Sequence, residues 1–333
     1  MAKLRIGVVG AGYWGKNLLR VFDARPDVEV CAVADPDRAA AEAVAAGRPV
    51  VADVDALLRQ YDPEAVVIVT PPSTHYSLAR RALQHGKHCW VEKPLALRAA
   101  EARELVALAE RNRCQLFVDE TFLYDPLVRL ARDWIRQGRL GTVYHLSFER
   151  LGQGRIRRDS NVWWNSAPHD LSILCYWIDA PVQEVSVRAF DYLQPGIADV
   201  AIGTVCLHGG ISAHIYLSWM APQKVATATA VGSRGMLVFE GRFGKRRLDF
   251  FEFSVSDRTR TVGNVIPIER FQCTESVPGG NEEPLALAAE AFVHSVRTAT
   301  PAPSAGVYSQ RVVEILEAGL PYGGCPHAGV VAD

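Results

Sequence analysis

Over the first 120 residues, short apolar runs alternate with longer stretches of helical periodicity. The runs fall at residues 5–9, 28–34, 65–69, 88–91 and 115–118. They are continuous and brief, as strands covered on both faces are. Residues 74–85 and 99–113 carry helical patterns, and 53–60 a shorter one. This rhythm predicts a doubly wound parallel sheet. Ligands of such a sheet gather beyond the carboxyl ends of its strands, which points to Thr70-Pro71-Pro72 and Glu92-Lys93-Pro94.

The pattern changes after Phe122. A helix is expected over 125–137 with Gly138 as its C-cap, then a strand over 142–149 and a polar loop through Asn161. A second helix is expected to open near Pro168 and to turn Leu171, Leu174 and Ile178 inward. Residues 184–268 read as successive antiparallel strands. Within them Ile211, Ala213, Ile215, Leu217 and Trp219 alternate with Ser212, His214, Tyr216 and Ser218, and Gly209-Gly210 makes a hairpin turn. Helices over 285–297 and 308–318 close the chain. The expectation is an α/β chain of two domains, 1–121 and 122–333, the second an α+β domain on a large, mostly antiparallel open sheet. Helices cover one face of that sheet. The other meets solvent or a second subunit, and a homo-oligomer is expected.

The first turn carries chemistry. Gly10-Ala11-Gly12-Tyr13-Trp14-Gly15 follows the first apolar run, and Asp35 closes the second, 20 residues beyond Gly15. Gly10 allows a tight turn, Gly12 lets the backbone approach a pyrophosphate, and Gly15 lets helix and strand pack closely. The pyrophosphate then rests on unpaired N–H groups at the positive end of the helix. Asp35 suits a free ribose hydroxyl and repels a 2'-phosphate, which favours NAD(H). Arg38 leaves NADP(H) open if it swings toward the adenosine; its plainer role is a surface pairing with Asp35 or Asp37. Trp14 packs under the cofactor, against the other domain, or in the core.

Composition narrows the partners. The 333 residues are 49% hydrophobic and carry a formal net charge of -1, so nothing in the overall charge favours nucleic acid or an acidic membrane surface. No apolar run reaches the length of a membrane span. Lys245-Arg246-Arg247 reads as a solvated hairpin end. The chain opens almost directly into its first strand, so no secretory leader is expected, and a cytoplasmic protein is. Seven dispersed cysteines read as buried free thiols, and no metal site is indicated.

Two clusters are candidates for catalysis. Lys93 follows an apolar strand end, with Pro94 fixing the next backbone step. A lysine near a positively charged nicotinamide becomes a better proton acceptor, and it can also hydrogen-bond the hydroxyl that loses hydride. In the stretch Asn161 to Asp170, Asn165 and His169 share a face if the intervening turn is helical. His169 near an open helix end would be kept neutral. Asp170 is expected to orient the backbone or to cap rather than touch substrate. Arg157 and Arg158 suit a phosphate or carboxylate, or simply make a solvated basic loop.

Together these residues resemble the glucose–fructose oxidoreductase / inositol dehydrogenase / rhizopine catabolism (Gfo/Idh/MocA) family. The resemblance rests on Gly10-x-Gly12-x-x-Gly15, Asp35, Thr70-Pro71-Pro72 with His75, Glu92-Lys93-Pro94, Asn165-x-x-x-His169, and the closing Glu283-Pro284-Leu285, Phe292 and Val296-Arg297. It implies an N-terminal Rossmann domain, a C-terminal α+β domain forming homodimers or homotetramers, and NAD(P)(H) chemistry on a sugar or cyclitol carbon. The family lysine falls on Lys93 and the family histidine on His169. Cofactor contacts are implied for Tyr13, Trp14, Arg38, Thr70, Pro71, Pro72, His75, Glu92 and Lys93 besides the glycines and Asp35. Tyr124, Arg157, Arg158, Trp163 and Trp164 are expected on the substrate side with Lys93, Asn165 and His169. Most relatives carry aspartate where this chain has Asn165, and an amide cannot take a proton. The segment around His169 is similar to members acting on nucleotide-linked sugars. Free-sugar or cyclitol dehydrogenation, an NAD-recycling glycosidase or epimerase, and a non-catalytic sensor are the competing readings.

Overall fold

The computed structural model describes residues 2–153, 156–242, 244–255 and 265–323. The chain forms two compact units, Met1–Tyr124 with Glu282–Glu317, and Asp125–Asn281 with Ala318–Asp333.

The first unit is built on six parallel strands: β1 (Leu4–Val9), β2 (Val28–Ala34), β3 (Val50–Val51), β4 (Ala65–Ile68), β5 (His88–Val91) and β6 (Leu116–Val118). Their order is β3-β2-β1-β4-β5-β6. Helices α1 (Tyr13–Asp23), α2 (Arg38–Ala45), α3 (Val54–Tyr61), α4 (Pro72–Gln84) and α5 (Ala99–Arg111) connect them. β4 and β5 are buried almost throughout, which is why their sequences are continuous and apolar rather than alternating. The order reverses at β1 and β4, so the loops after these strands flank the crevice where such sheets take ligands.

The second unit begins with α6 (Pro126–Arg136), β7 (Val143–Leu151) and α7 (Val162–Trp177). Seven strands follow: β8 (Val182–Phe190), β9 (Val200–Leu207), β10 (Ile211–Ser218), β11 (Val225–Gly232), β12 (Gly235–Glu240), β13 (Arg247–Val255) and β14 (Ile268–Pro278). With β7 they make one sheet ordered β14-β13-β12-β11-β7-β10-β9-β8. It is antiparallel except where β10 runs parallel to β7. Ala213, Ile215, Leu217 and Trp219 are buried on the face where α7 packs on β7, β9 and β10. The opposite face keeps apolar side chains in the open, Ile202 at 49% and Phe271 at 61% exposure. Arg246, expected in a solvated hairpin end, is instead turned inward onto the Asp125 carboxylate at 3.0 Å.

α8 (Pro284–Thr298), and α9 (Gly306–Gly319) up to Glu317, return to the first unit rather than continuing the second. Aromatic packing explains this. Phe292 on α8 is wholly buried and meets Phe22, Trp90 and Phe117 at ring separations of 6.3, 5.6 and 5.5 Å. Burying one such ring contributes about 2–3 kcal/mol. Tyr124 belongs to the same arrangement: it is wholly buried, and its hydroxyl lies 2.8 Å from Ser304 Oγ. No described helix is long and apolar enough to cross a membrane.

Candidate functional site

The glycine turn is shaped by the absence of side chains. Gly10 has φ +109°, and a Cβ there would meet the Val69 carbonyl oxygen at 2.4 Å. A Cβ on Gly15 would meet the Gly10 carbonyl at 2.4 Å, whereas one on Gly12 would have nothing within 4 Å. Open space therefore lies at Gly12, where α1 begins without a side-chain cap. The positive end of α1 and the space before it suit an anionic pyrophosphate. Tyr13 and Trp14 flank the turn at 59% and 50% exposure, which excludes a core role for Trp14.

Asp35 locks this turn to the end of β2. Its Oδ2 accepts the Ala11 N–H at 2.7 Å and its Oδ1 the Asp37 N–H at 2.8 Å. Each oxygen keeps a second lone pair for a ribose hydroxyl. Arg38 pairs with neither Asp35 nor Asp37. Its Nε donates to Glu42 Oε1 at 2.7 Å, one turn along α2. Helical i,i+4 geometry wins because Glu42 is on the same face and Arg38 is almost fully solvated.

Thr70, Pro71 and Pro72 lead into α4, with Pro72 at its first turn. Thr74 Oγ1 donates to the Pro71 carbonyl at 2.8 Å, so the 2.7 Å contact between hydroxyls has Thr70 as donor. His75 is wholly buried, its Nδ1 2.8 Å from the Pro94 carbonyl and its Nε2 2.9 Å from that of Thr70. Burial lowers its pKa, and the neutral ring holds one N–H to share between the two carbonyls. His75 thus ties the Thr70 loop to the Lys93-Pro94 loop and has no surface for cofactor. Lys93 precedes a cis peptide bond to Pro94, and its N–H donates to Glu92 Oε2 at 3.2 Å.

Sequence reasoning missed Asp119. It directly follows β6 as Glu92 follows β5, and burial pushes both carboxyl groups above the usual carboxylate range. The signal was present: both apolar runs end in valine and are followed by an acid.

In the second unit, α7 opens at Val162, not near Pro168. Asn161 is its cap, the amide oxygen accepting the Trp164 N–H at 3.0 Å. Pro168 is an interior residue of the helix. The intervening turn is helical, so Asn165 and His169 lie on one face. His169 is two turns in, away from the positive end, and the expected dipole effect on its imidazole lapses. Along α7 only Asn165, His169 and Tyr176 escape burial, and their spacing makes one stripe. Asp170 is buried and takes a bidentate pair from the Arg150 guanidinium at 2.7 and 3.2 Å, a side-chain partner in place of the backbone or capping contact expected.

Several expected substrate contacts lie elsewhere. Trp163 and Trp164 are 0% and 1% exposed. Trp163 packs against Gly203 and Gly319, and Trp164 Nε1 donates to the Leu320 carbonyl at 2.7 Å. With α7 opening before them, both rings turn into the core. Tyr124 is equally buried. Arg157 is held by Asp159 at 2.6 and 2.8 Å, while Arg158 is exposed on the same loop. Among the described residues, no three side chains are grouped to hold a metal.

Residues 4–120 match the profile described as an oxidoreductase family with an NAD-binding Rossmann fold, and 128–238 match the same family's C-terminal domain. The chain belongs to the Gfo/Idh/MocA oxidoreductase family. Among Gfo/Idh/MocA members, it is similar to the UDP-N-acetylglucosamine 3-dehydrogenase of Acidithiobacillus ferrooxidans: 29% identical over 316 residues, 94% of this chain and 95% of that protein. A solved structure of that enzyme superposes with a TM-score of 0.80 at 25% identity, covering 96% of this chain and 97% of that one. The dTDP-3,4-didehydro-2,6-dideoxy-alpha-D-glucose 3-reductase of Streptomyces violaceoruber is 37% identical over 147 residues, 43% of each protein.

Proposed function

We propose that this protein is an NAD(H)-dependent oxidoreductase acting on a secondary alcohol or ketone carbon of a nucleotide-linked sugar. The observation that carries the reading is the end-to-end similarity to a nucleotide-sugar 3-dehydrogenase. Asp35 supports NAD(H) over NADP(H), because Arg38, the cation that would welcome a 2'-phosphate, is committed to Glu42.

When bound, the nicotinamide accepts the hydride, or supplies it in the reverse direction. The first-turn N–H groups of α1 hold the pyrophosphate and Asp35 accepts a ribose hydroxyl. His169 or Lys93 removes the hydroxyl proton, Lys93 stabilises the developing alkoxide, and Asn165 orients a neighbouring hydroxyl. The six described cysteines, all free, suit a reducing, cytoplasmic setting. A homodimer or homotetramer through the open face of the second sheet would cover Ile202 and Phe271.

The test is a screen of UDP- and dTDP-linked sugars, free sugars and cyclitols against NAD-loaded protein, followed by nicotinamide absorbance. Accumulating NADH with a nucleotide sugar is expected. NADH from free cyclitols alone would overturn the substrate class. Conversion at constant bound NAD would indicate the recycling scheme, and no response to any substrate would favour the sensor.

A further inference from the structure

Two loops of the second unit carry exposed groups that the chemistry above does not use. One, 156–161, leads into α7; the other, 191–199, joins β8 to β9. They are tied together at two points. Gln194 Nε2 donates to the Arg157 carbonyl at 2.9 Å, and the Val162 N–H donates to the Ala198 carbonyl at 2.8 Å. Arg158 is thus one residue, and Tyr192 two, from the same cross-loop bond. Asn161, the last residue of the first loop, caps the helix that carries Asn165 and His169.

Each loop is also fixed from within. Asp199, wholly buried, accepts the Leu193 N–H at 2.6 Å, and Asp191 accepts the Gly196 N–H at 2.7 Å. Asp199 Oδ1 has no hydrogen-bond partner. A buried oxygen without a donor costs stability, which the hold on the loop has to offset. On the first loop, Asp159 takes both Nε and Nη2 of Arg157, and its carbonyl accepts the Tyr322 hydroxyl at 2.5 Å.

What these fixed loops leave in the open is an aromatic ring and a cation. Phe190, at the end of β8, lies against Tyr192 with ring planes 7° apart and centroids at 5.8 Å. Tyr192 is nonetheless 49% exposed, a rigid platform with apolar surface in water. The acids of both loops are engaged in their own loops, and Asp159 neutralises Arg157. Among the described residues of the two loops, Arg158 is the charged side chain that pairs with no carboxylate.

We propose that Tyr192 and Arg158 form a nucleoside-diphosphate subsite, Tyr192 stacking on the base and Arg158 pairing with the diphosphate. This rests on the nucleotide-sugar reading above and deepens it. Such a ligand joins a flat base to an anionic linker, and the tethered loops join a flat ring to a cation. A guanidinium fork matches phosphate oxygens, and stacking accepts any base. A free sugar or cyclitol offers neither group. Because the loops are already fixed, little ordering opposes binding.

Equilibrium titration of the NAD-loaded protein with UDP, at several salt concentrations, tests the subsite. Tyr192→Ala should weaken UDP about 10-fold with its salt dependence unchanged, and Tyr192→Phe, which keeps the ring, should bind as wild type does. Arg158→Gln should also cost about 10-fold but flatten the salt dependence, since a screened charge pair is lost. Both side chains are exposed, so the urea midpoint should stay in place.

Unchanged UDP affinity in either variant would remove that residue from the subsite; in both, or with no UDP bound by the wild type, it would overturn the subsite. NADH formed from a nucleotide sugar at wild-type KM in both variants would sink the subsite alone and leave the functional reading intact. UDP held through these two side chains without turnover of any nucleotide sugar would sink the functional reading and leave the subsite standing.

Discussion

The glycine turn of the first unit and helix α7 of the second both present polar groups, by opposite means. In the turn, side chains are missing where backbone atoms would meet them at 2.4 Å, so amide groups reach the surface. In α7 nearly every position is filled and buried, and the presented groups are what remains: Asn165, His169 and Tyr176. The first device is local and its spacing is its signature. The second depends on which faces the rest of the unit covers, and its sequence, with two adjacent tryptophans, looks like a recognition loop until the helix is in place.

The largest expected effect concerns the residue between these two modes, Lys93, fixed by a strand end and a buried histidine clasp. On the reading proposed above Lys93 stabilises the alkoxide, so Lys93→Ala should lower kcat by roughly 1000-fold, while NADH affinity measured by fluorescence titration changes little. A near-normal rate would remove Lys93 from the chemistry.

Trp163→Ala tests whether α7 is a filled surface. The ring is wholly buried against Gly203 and Gly319, so truncation should cost about 3–5 kcal/mol in urea unfolding. KM measured well below the unfolding temperature should stay near wild type. A stable variant with a raised KM would return Trp163 to the substrate side.

What was legible follows the same division. The strands of the first unit, Gly10, Gly12, Gly15 and Asp35 were readable because each obeys a short-range rule: continuous apolarity, steric exclusion of Cβ, fixed chain distance. The large sheet was readable from period-two alternation at 211–219. The start of α7 was not, because Pro168 is a strong first-turn signal and Asn161, the cap in use, sits inside a polar loop. Nor was the return of α8, whose partners Phe22, Trp90 and Phe117 are scattered along the chain. His75 reads as a ligand from its motif. Only burial and its two carbonyl contacts reveal a clasp.

Asp35→Asn sharpens the account of the turn. The amide oxygen can still take one of the two backbone N–H groups now held at 2.7 and 2.8 Å, but the charge is gone. NADH binding should weaken about 10- to 30-fold and the preference over NADPH should shrink, both by fluorescence titration. An unchanged preference would show that cofactor choice lies elsewhere.

The smallest effect is expected at Asn165, and it probes the stripe on α7 most closely. Asn165 and His169 are one helical turn apart, the only residues between 161 and 170 that are not buried. An aspartate at 165 would sit in the first turn of α7, where the helix dipole favours its ionised form. Its carboxylate would stabilise the imidazolium of His169 and raise the histidine's pKa. In alcohol oxidation the base would be stronger but unprotonated only at higher pH. The acid limb of kcat/KM should therefore move up by about one pH unit, with the plateau rate unchanged or raised about 3-fold. Complete loss of activity in a variant that unfolds at the wild-type urea concentration would mean that the amide is read by the substrate itself, through an N–H donor a carboxylate cannot supply.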